Sequence, residues 1–366
     1  MVIAQGLNLF LISLFSVYIG GVPVFTILGA FSFVLVGFLY GNPRVGLCLP
    51  DLIFFLLLFF ISVLGAIFGA GFDSVRFFVY FSFIVLLVFL PRLISRKDIP
   101  SILTVFLCLH GFFFYFQFVS YYVFGCYFNI LSVFGLESRN LGGTWQLPWG
   151  VDLMRASGLF SEPGTYACFI APMLALYSGL LNSGFNKAVY YITLFSLAFS
   201  LSTFGIVFFI FISFFMLSGV VFKFVALCLG VGFSVPYLYW RFYERASLGL
   251  ETGLGFRSEY ISTALSNFYS LEGFLFGFGG LGVNEFAYTV AGADNDSGLI
   301  FYILYNFGGI AFFACLLLLI YALFFYRYWS FVGILILFAS KISFYAYALP
   351  FYMVFLLHYS NRKGSV

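Results

Sequence analysis

The chain has 366 residues, of which 63% are hydrophobic and only 8% charged, with a net charge of +3 at neutral pH. A soluble domain of this size needs far more polar material to cover its surface, and a charge so close to balance, with no basic stripe, excludes a nucleic-acid binder. Continuous apolar blocks near bilayer-spanning length recur throughout, which predicts an all-α polytopic membrane protein and excludes an outer-membrane barrel, whose strands alternate.

Met1 to Phe10 carries no basic region and no small-residue cleavage site follows, so the first apolar segment reads as a retained span. The apolar blocks and their breaks give about twelve transmembrane helices, near 7–20, 22–40, 51–70, 76–91, 101–125, 163–181, 188–201, 203–220, 222–239, 297–321, 329–343 and 345–360. The pairs flanking Ser202 and Ser343 are candidates for broken or re-entrant helices. Arg44, Arg92, Arg96, Lys97, Lys187, Lys223, Arg327, Arg362 and Lys363 all fall on one side of this topology. The positive-inside rule makes that side the cytoplasm, so the N- and C-termini are both expected to be cytoplasmic. Arg76, Arg139, Arg155, Arg241, Arg245, Arg257 and Lys341 fall outside, with every acidic residue except Asp51 and Asp98. Cations on that side oppose the usual bias and ask for a reason.

Two extracytoplasmic loops are long, 126–162 and 240–296, and the other connections are short. Long loops in compact proteins are functional or disordered; Trp145, Trp149 and Trp240, among many Tyr, Phe and Gly residues, argue against disorder. Ile261, Leu265, Phe268 and Leu271 recur at helical spacing, which predicts an amphipathic helix over 256–271 on the outer membrane surface. With no repeat and no separable soluble part, residues 1–366 read as one integral membrane domain. Compositional bias at lipid-facing positions is a simpler account of the 58 Phe residues than an aromatic groove for a polyprenyl tail. Six cysteines are scattered singly without CxxC spacing, so neither a disulfide framework nor structural zinc is expected.

Three stretches carry candidate chemistry. In the run from Arg155 to Tyr166, Pro163 suits the first turn of a helix and Ser161 can cap just ahead of it. Free amides at a helix start, with an arginine nearby, favour an anion such as a phosphate; a helix cap with its charges in headgroup water is the plainer alternative. The stretch 255–260 offers Arg257 as a second phosphate donor. The glycine run 277–282 that follows lacks the strand and βαβ unit of a dinucleotide site and reads equally well as a flexible turn. Asp294, Asn295 and Asp296 precede another long span and can cap it. Their Asp-x-Asp pattern also invites a metal, but with no nucleotide donor on that side a cation has little to neutralise. No metal and no cofactor are expected. His110 is the lone ionisable group at mid-depth and reads as a packing residue. Coupled transporters place such groups near the bilayer centre; here they gather at the outer interface, which suits an enzyme acting on a lipid-linked substrate.

The order of these motifs resembles the Wzy-type O-antigen polymerases: R-A-S-G-L-F-x-E-P-G at 155–164, R-S-E-Y at 257–260 before G-x-G-G-x-G, and D-S-G-L-I at 296–300 leading to Phe307-Gly308-Gly309. That family belongs with the O-antigen ligases to one superfamily of polytopic, GT-C-like membrane glycosyltransferases, and the resemblance covers about Arg155 to Ile310. It implies polymerisation of undecaprenyl-pyrophosphate-linked repeat units into O-antigen or a related surface polysaccharide, as in lipopolysaccharide biosynthesis. The reaction would run at the periplasmic face of the bacterial inner membrane. Lipid-linked glycan donor and acceptor, membrane lipid and a chain-length regulator are the implied partners. Arg155 and Arg257 match the arginines expected to grip the pyrophosphate, with Tyr166 and Lys341 as further candidates; a snorkelling role is the alternative for Lys341. Asp296, then Glu162, are the candidate bases for metal-independent, inverting transfer. In the ligases a histidine stands where this chain has Asp294 to Ser297, a departure that favours polymerase over ligase. A ligase, a non-enzymatic lipid-linked oligosaccharide flippase and a scaffold of cell-wall assembly are the rival readings.

Overall fold

The structure is a computed structural model, describing residues 1–14, 24–40, 49–67, 72–134, 144–146, 152–181, 183–216, 270–277, 298–325, 327–342 and 348–360, with single positions at 223, 228, 232 and 239. Those residues are mostly helical. In chain order the helices are α1 (Val2–Ser13), α2 (Val24–Tyr40), α3 (Leu49–Gly65), α4 (Ser74–Leu93), α5 (Ile99–Phe124) and α6 (Pro163–Ser178). They continue with α7 (Gly184–Phe199), α8 (Thr203–Met216), α9 (Leu271–Phe276), α10 (Leu299–Phe325), α11 (Tyr328–Ala339) and α12 (Ala348–Ser360). Between α5 and α6 lie a 3₁₀ turn, Ile130–Phe134, and an antiparallel pair, β1 (Thr144–Gln146) and β2 (Asp152–Met154), in which Trp145 faces Leu153. Every helix except α9 falls on a predicted span. The predicted span at 222–239 lies outside the described residues apart from those single positions, as does the amphipathic helix expected over 256–271 apart from Ser270 and Leu271.

Among the described residues two helices, α5 and α10, are by length and composition long and apolar enough to cross a membrane. At 26 residues α5 rises about 39 Å, more than a hydrocarbon core of roughly 30 Å. The surface agrees with that chemistry. Ile27, Phe31 and Leu35 on α2, Phe112, Phe116 and Val119 on α5, and Phe313, Leu317, Ile320 and Phe324 on α10 form exposed hydrocarbon stripes at helical spacing. Stripes of this extent are surfaces for lipid.

At the centre stands α6, whose residues are buried along its whole length. It runs antiparallel to α5: Tyr166 stacks on Phe114 at 4.9 Å between centroids, and Tyr177 donates to Thr104 Oγ1 at 2.7 Å, that hydroxyl's own hydrogen going to Pro100 O. Against α11 it is also antiparallel, with Gly333 beside Pro172, Gly179 beside Trp329 and Glu162 beside Lys341. Pro172 sits inside α6 and so withholds the backbone bond that Cys168 O would otherwise receive.

Lipid provides no hydrophobic drive between helices, so close backbone approach at small residues carries the packing. Gly6 of α1 lies on Ile102 and Val105 of α5, and Gly29 of α2 lies on the backbone of α1 at Asn8 and Ile12. Polar groups at these contacts are largely answered across helices: Gln5 Nε2 donates to Phe33 O at 3.1 Å and Thr26 Oγ1 to Ile12 O at 3.3 Å. His110 packs among the rings of Phe10, Phe106 and Phe160. Its Nε2 donates to Ser13 Oγ at 2.8 Å, because the Ser13 hydrogen is already given to Phe10 O.

The long helix α10 is two helices joined at Gly308, whose φ of 75° and ψ of −173° interrupt the helical bonding. Into that break comes the start of the glycine run: Gly277, at φ 70°, lies with its backbone against that of Gly308 and leaves no room for a Cβ on either residue. The run read as a flexible turn is, at Gly277, a tight crossing. Gly308→Ala should therefore destabilise the protein by about 1–3 kcal/mol through strain and collision, whereas Gly111→Ala, whose Cβ would meet nothing nearer than 3.9 Å, should not. Thermal unfolding in detergent, followed by size-exclusion chromatography, separates the two.

Candidate functional site

The candidate residues are organised by backbone that is extended yet buried. From Met154 to Phe160 every residue is enclosed, so each amide needs an internal partner. Tyr122 supplies two bonds at once, its hydroxyl accepting from Met154 N at 3.0 Å and donating to Met154 O at 3.2 Å. Gln117 supplies two more: Oε1 accepts from Ser157 N at 2.8 Å and Gly158 N at 3.0 Å, while Nε2 donates to Phe128 O at 3.3 Å. Gly158, at φ 59°, turns the chain where it lies on the backbone of Phe114. Phe160 then reaches into the bundle and stacks on His110 at 5.3 Å.

Arg155 is held inside this segment, 8% exposed, and donates from Nε to Leu201 O at 3.2 Å. Leu201 occupies the sharp corner between α7 and α8 with φ 48°, a left-handed conformation costly for a leucine. The corner is braced by serines. Ser200 donates to Leu197 O at 2.7 Å, Ser202 in turn donates to Ser200 Oγ at 3.1 Å, and Ser202 Oγ caps α8 by accepting from Gly205 N at 2.8 Å. The break expected at Ser202 is thus a capped helix start that turns a carbonyl towards Arg155.

Helix α6 begins one residue later than the capping signal from Ser161 predicted. Glu162 takes the N-cap position in extended conformation and makes no side-chain cap bond. Its carboxylate is drawn elsewhere: Thr165 Oγ1 donates to Oε1 at 3.0 Å, and Lys341 Nζ forms an ion pair with the same oxygen. Lys341 has only 9% of its side chain exposed and is fixed from three directions, which replaces the snorkelling role. Its backbone N–H donates to Cys168 Sγ at 3.4 Å, its ammonium lies 5.9 Å from the ring centre of Phe204, and its stem passes Gly164, where a Cβ would stand 3.3 Å away. Arg155 and Lys341 therefore both approach the first turn of α8, one at Leu201 and the other at Phe204.

Tyr166 lies fully buried beneath this cluster. Its hydroxyl donates to Ser196 Oγ, whose own hydrogen goes to Thr193 O, so the side chain ties α6 to α7. Asp296 and Arg257 lie outside the described residues. The neighbouring start of α10 is described: Leu299 N donates to Ser340 O at 2.9 Å, immediately before Lys341. Among the described residues no group of three His, Cys, Asp or Glu side chains could hold a metal ion.

The structure thus brings Arg155, Glu162 and Lys341 to one end of the bundle, with the starts of α6, α8 and α10. Arg96, Lys97, Asp98, Lys187 and Arg327 stand at the opposite end, beside the starts of α5, α7 and α11. Gln117, Tyr122 and Leu201 carry the site and were not singled out from the sequence; the single Gln in the largely apolar α5 was the available signal. No known protein family, curated protein or solved structure matches the chain.

Removing one partner of an enclosed ion pair leaves the other charge uncompensated. Glu162→Gln and Lys341→Met should each destabilise more than their combination does, with a coupling of about 1–3 kcal/mol in a double-mutant cycle of thermal unfolding.

Proposed function

We propose that the protein is a GT-C-like glycosyltransferase of the bacterial inner membrane that polymerises undecaprenyl-pyrophosphate-linked oligosaccharide repeat units at the outer face. The observation that carries this reading is the cluster of Arg155, Lys341 and Glu162, two enclosed cations and a partly exposed carboxylate at one end of a bundle with apolar outer faces. Enclosed cations at helix starts suit a diphosphate, and the collection of Arg96, Lys97, Lys187 and Arg327 at the far end supports the assignment of that end to the cytoplasm.

In the reaction, an acceptor hydroxyl oxygen attacks the anomeric carbon of the donor sugar. The bond from that carbon to the diphosphate oxygen breaks, its electron pair leaves with the diphosphate, and the configuration inverts. The acceptor proton passes to a carboxylate, a contribution of about 10²–10⁴-fold. Glu162 Oε1 already accepts from Lys341 and Thr165, which fits it to hold Lys341 in place. Asp296 is the preferred base; in sequence it stands three residues before Leu299, the helix start beside Ser340. Arg155, Arg257 and Lys341 meet the charge that develops on the leaving diphosphate, each preorganised donor worth about 3 kcal/mol. Arginine offers a planar fork to the phosphate oxygens and lysine a point charge, so the two types are not interchangeable here.

Deleting the gene should leave single capped repeat units and remove the long-chain ladder on a gel. Long but unattached polymer would instead identify a ligase, and repeats accumulating on the inner leaflet a flippase. With purified protein and a lipid-linked repeat unit, Arg155→Ala should lower kcat about 100-fold and Arg155→Lys should not restore it. Arg257→Ala should abolish chain extension at unchanged protein level, and EDTA should leave the rate unchanged.

A further inference from the structure

Between α5 and α7 runs a furrow of about 550 Å³, walled by Leu107, Gly111, Phe116 and Val119 on α5 and by Val189 and Ile192 on α7. Its lining follows α5 from Leu107 to Phe124, about 25 Å of helical rise, so the space is long and narrow and lies along the helices. It opens sideways, since Phe112, Phe116 and Ile192 are exposed. Most of the lining is hydrocarbon, and of its polar residues Tyr115 donates to Ile192 O and Thr193 to Val189 O, both at 2.8 Å. The walls therefore present hydrocarbon, and the occupant they accept is a hydrocarbon chain.

One end of this furrow meets the charged rim. There Phe118 of α5 stacks on Phe199 of α7 at 5.4 Å. The same two helix ends hold Arg155, α5 through the Tyr122 bonds to Met154 and α7 through Leu201, whose carbonyl accepts from the arginine. A cation is thus held by the two helices that wall the apolar channel, at their C-terminal ends. At about 550 Å³ the furrow is of a size to take one hydrocarbon chain over part of its length. A phospholipid brings two acyl chains and a glycerol-borne head; a polyprenyl diphosphate brings one chain and a terminal anion.

We propose that this furrow seats the isoprene units nearest the diphosphate of a polyprenyl-linked donor, with the diphosphate at Arg155. The assignment rests on the glycosyl-transfer reading and adds where the lipid of the donor lies.

Gly111 gives the test its lever, because it lines the furrow and a Cβ there would meet only Thr193 Oγ1, at 3.9 Å. Gly111→Trp should raise the KM for an undecaprenyl-linked donor at least tenfold, with folding, read by size-exclusion chromatography in detergent, unchanged. Equal KM values in variant and wild type for the undecaprenyl donor would overturn the proposal. A second arm is independent of turnover. Benzoylphenylalanine at Phe116, irradiated in phosphatidylglycerol vesicles containing undecaprenyl diphosphate, should capture the prenyl chain several-fold more often than the same group at Phe31 on α2. Matching, phospholipid-dominated adducts at both positions would overturn the furrow as a prenyl site. Prenyl capture at Phe116 by a protein that makes no polymer would support the furrow and remove the polymerase reading.

Discussion

Extended backbone inside an apolar bundle is tolerated only where its amides are met, because no water reaches them and each unpaired group costs several kcal/mol. In this chain two side chains of α5 meet that need. Tyr122 closes both polar groups of Met154, and Gln117 accepts two successive amides at Ser157 and Gly158. Arg155 lies between these anchors, so its position is inherited from α5 and the α7–α8 corner. The approach to α6 is therefore as fixed as a helix, although it is not one.

The charges follow from the same economy. Arg155 is answered by a carbonyl that a strained leucine presents, and Lys341 by a carboxylate at the first position of α6. Neither solution adds a net charge to the interior beyond what a bound anion would balance. Glu162 holds the lysine beside Phe204, close to the turn that carries Leu201. A cluster built this way keeps its cations aimed before any ligand arrives, which is the arrangement that electrostatic stabilisation of a leaving group requires.

Much of the helical frame was legible because the signals are local. Apolar blocks give length, Lys and Arg give ends, Pro163 gives the start of α6, and the serines around position 202 give a break. The site was legible only in its charged members. Arg155, Glu162 and Lys341 stand out because ionisable groups are rare in this sequence, yet nothing in the spacing of Glu162 and Lys341 pairs residues that come from distant helices. The cap read at Ser161 falls one residue early: Glu162 takes the N-cap position, and its carboxylate goes to Lys341 and Thr165 instead of making a cap bond. Tyr166 looked like a ligand group beside the motif; packing against Phe114 and a bond to Ser196 turned it into a brace. Leu201 gave no sign at all, since a left-handed leucine is set by its surroundings.

The crossing at Gly277 and Gly308 has a consequence for descent. Each residue stands where the other's first side-chain carbon would be, so neither can change alone without forcing two main chains apart. Relatives that keep this junction must carry glycine at both places, and a lineage that abandons one is freed to abandon its mate. The two positions are constrained as a unit, across a sequence gap that no local motif spans.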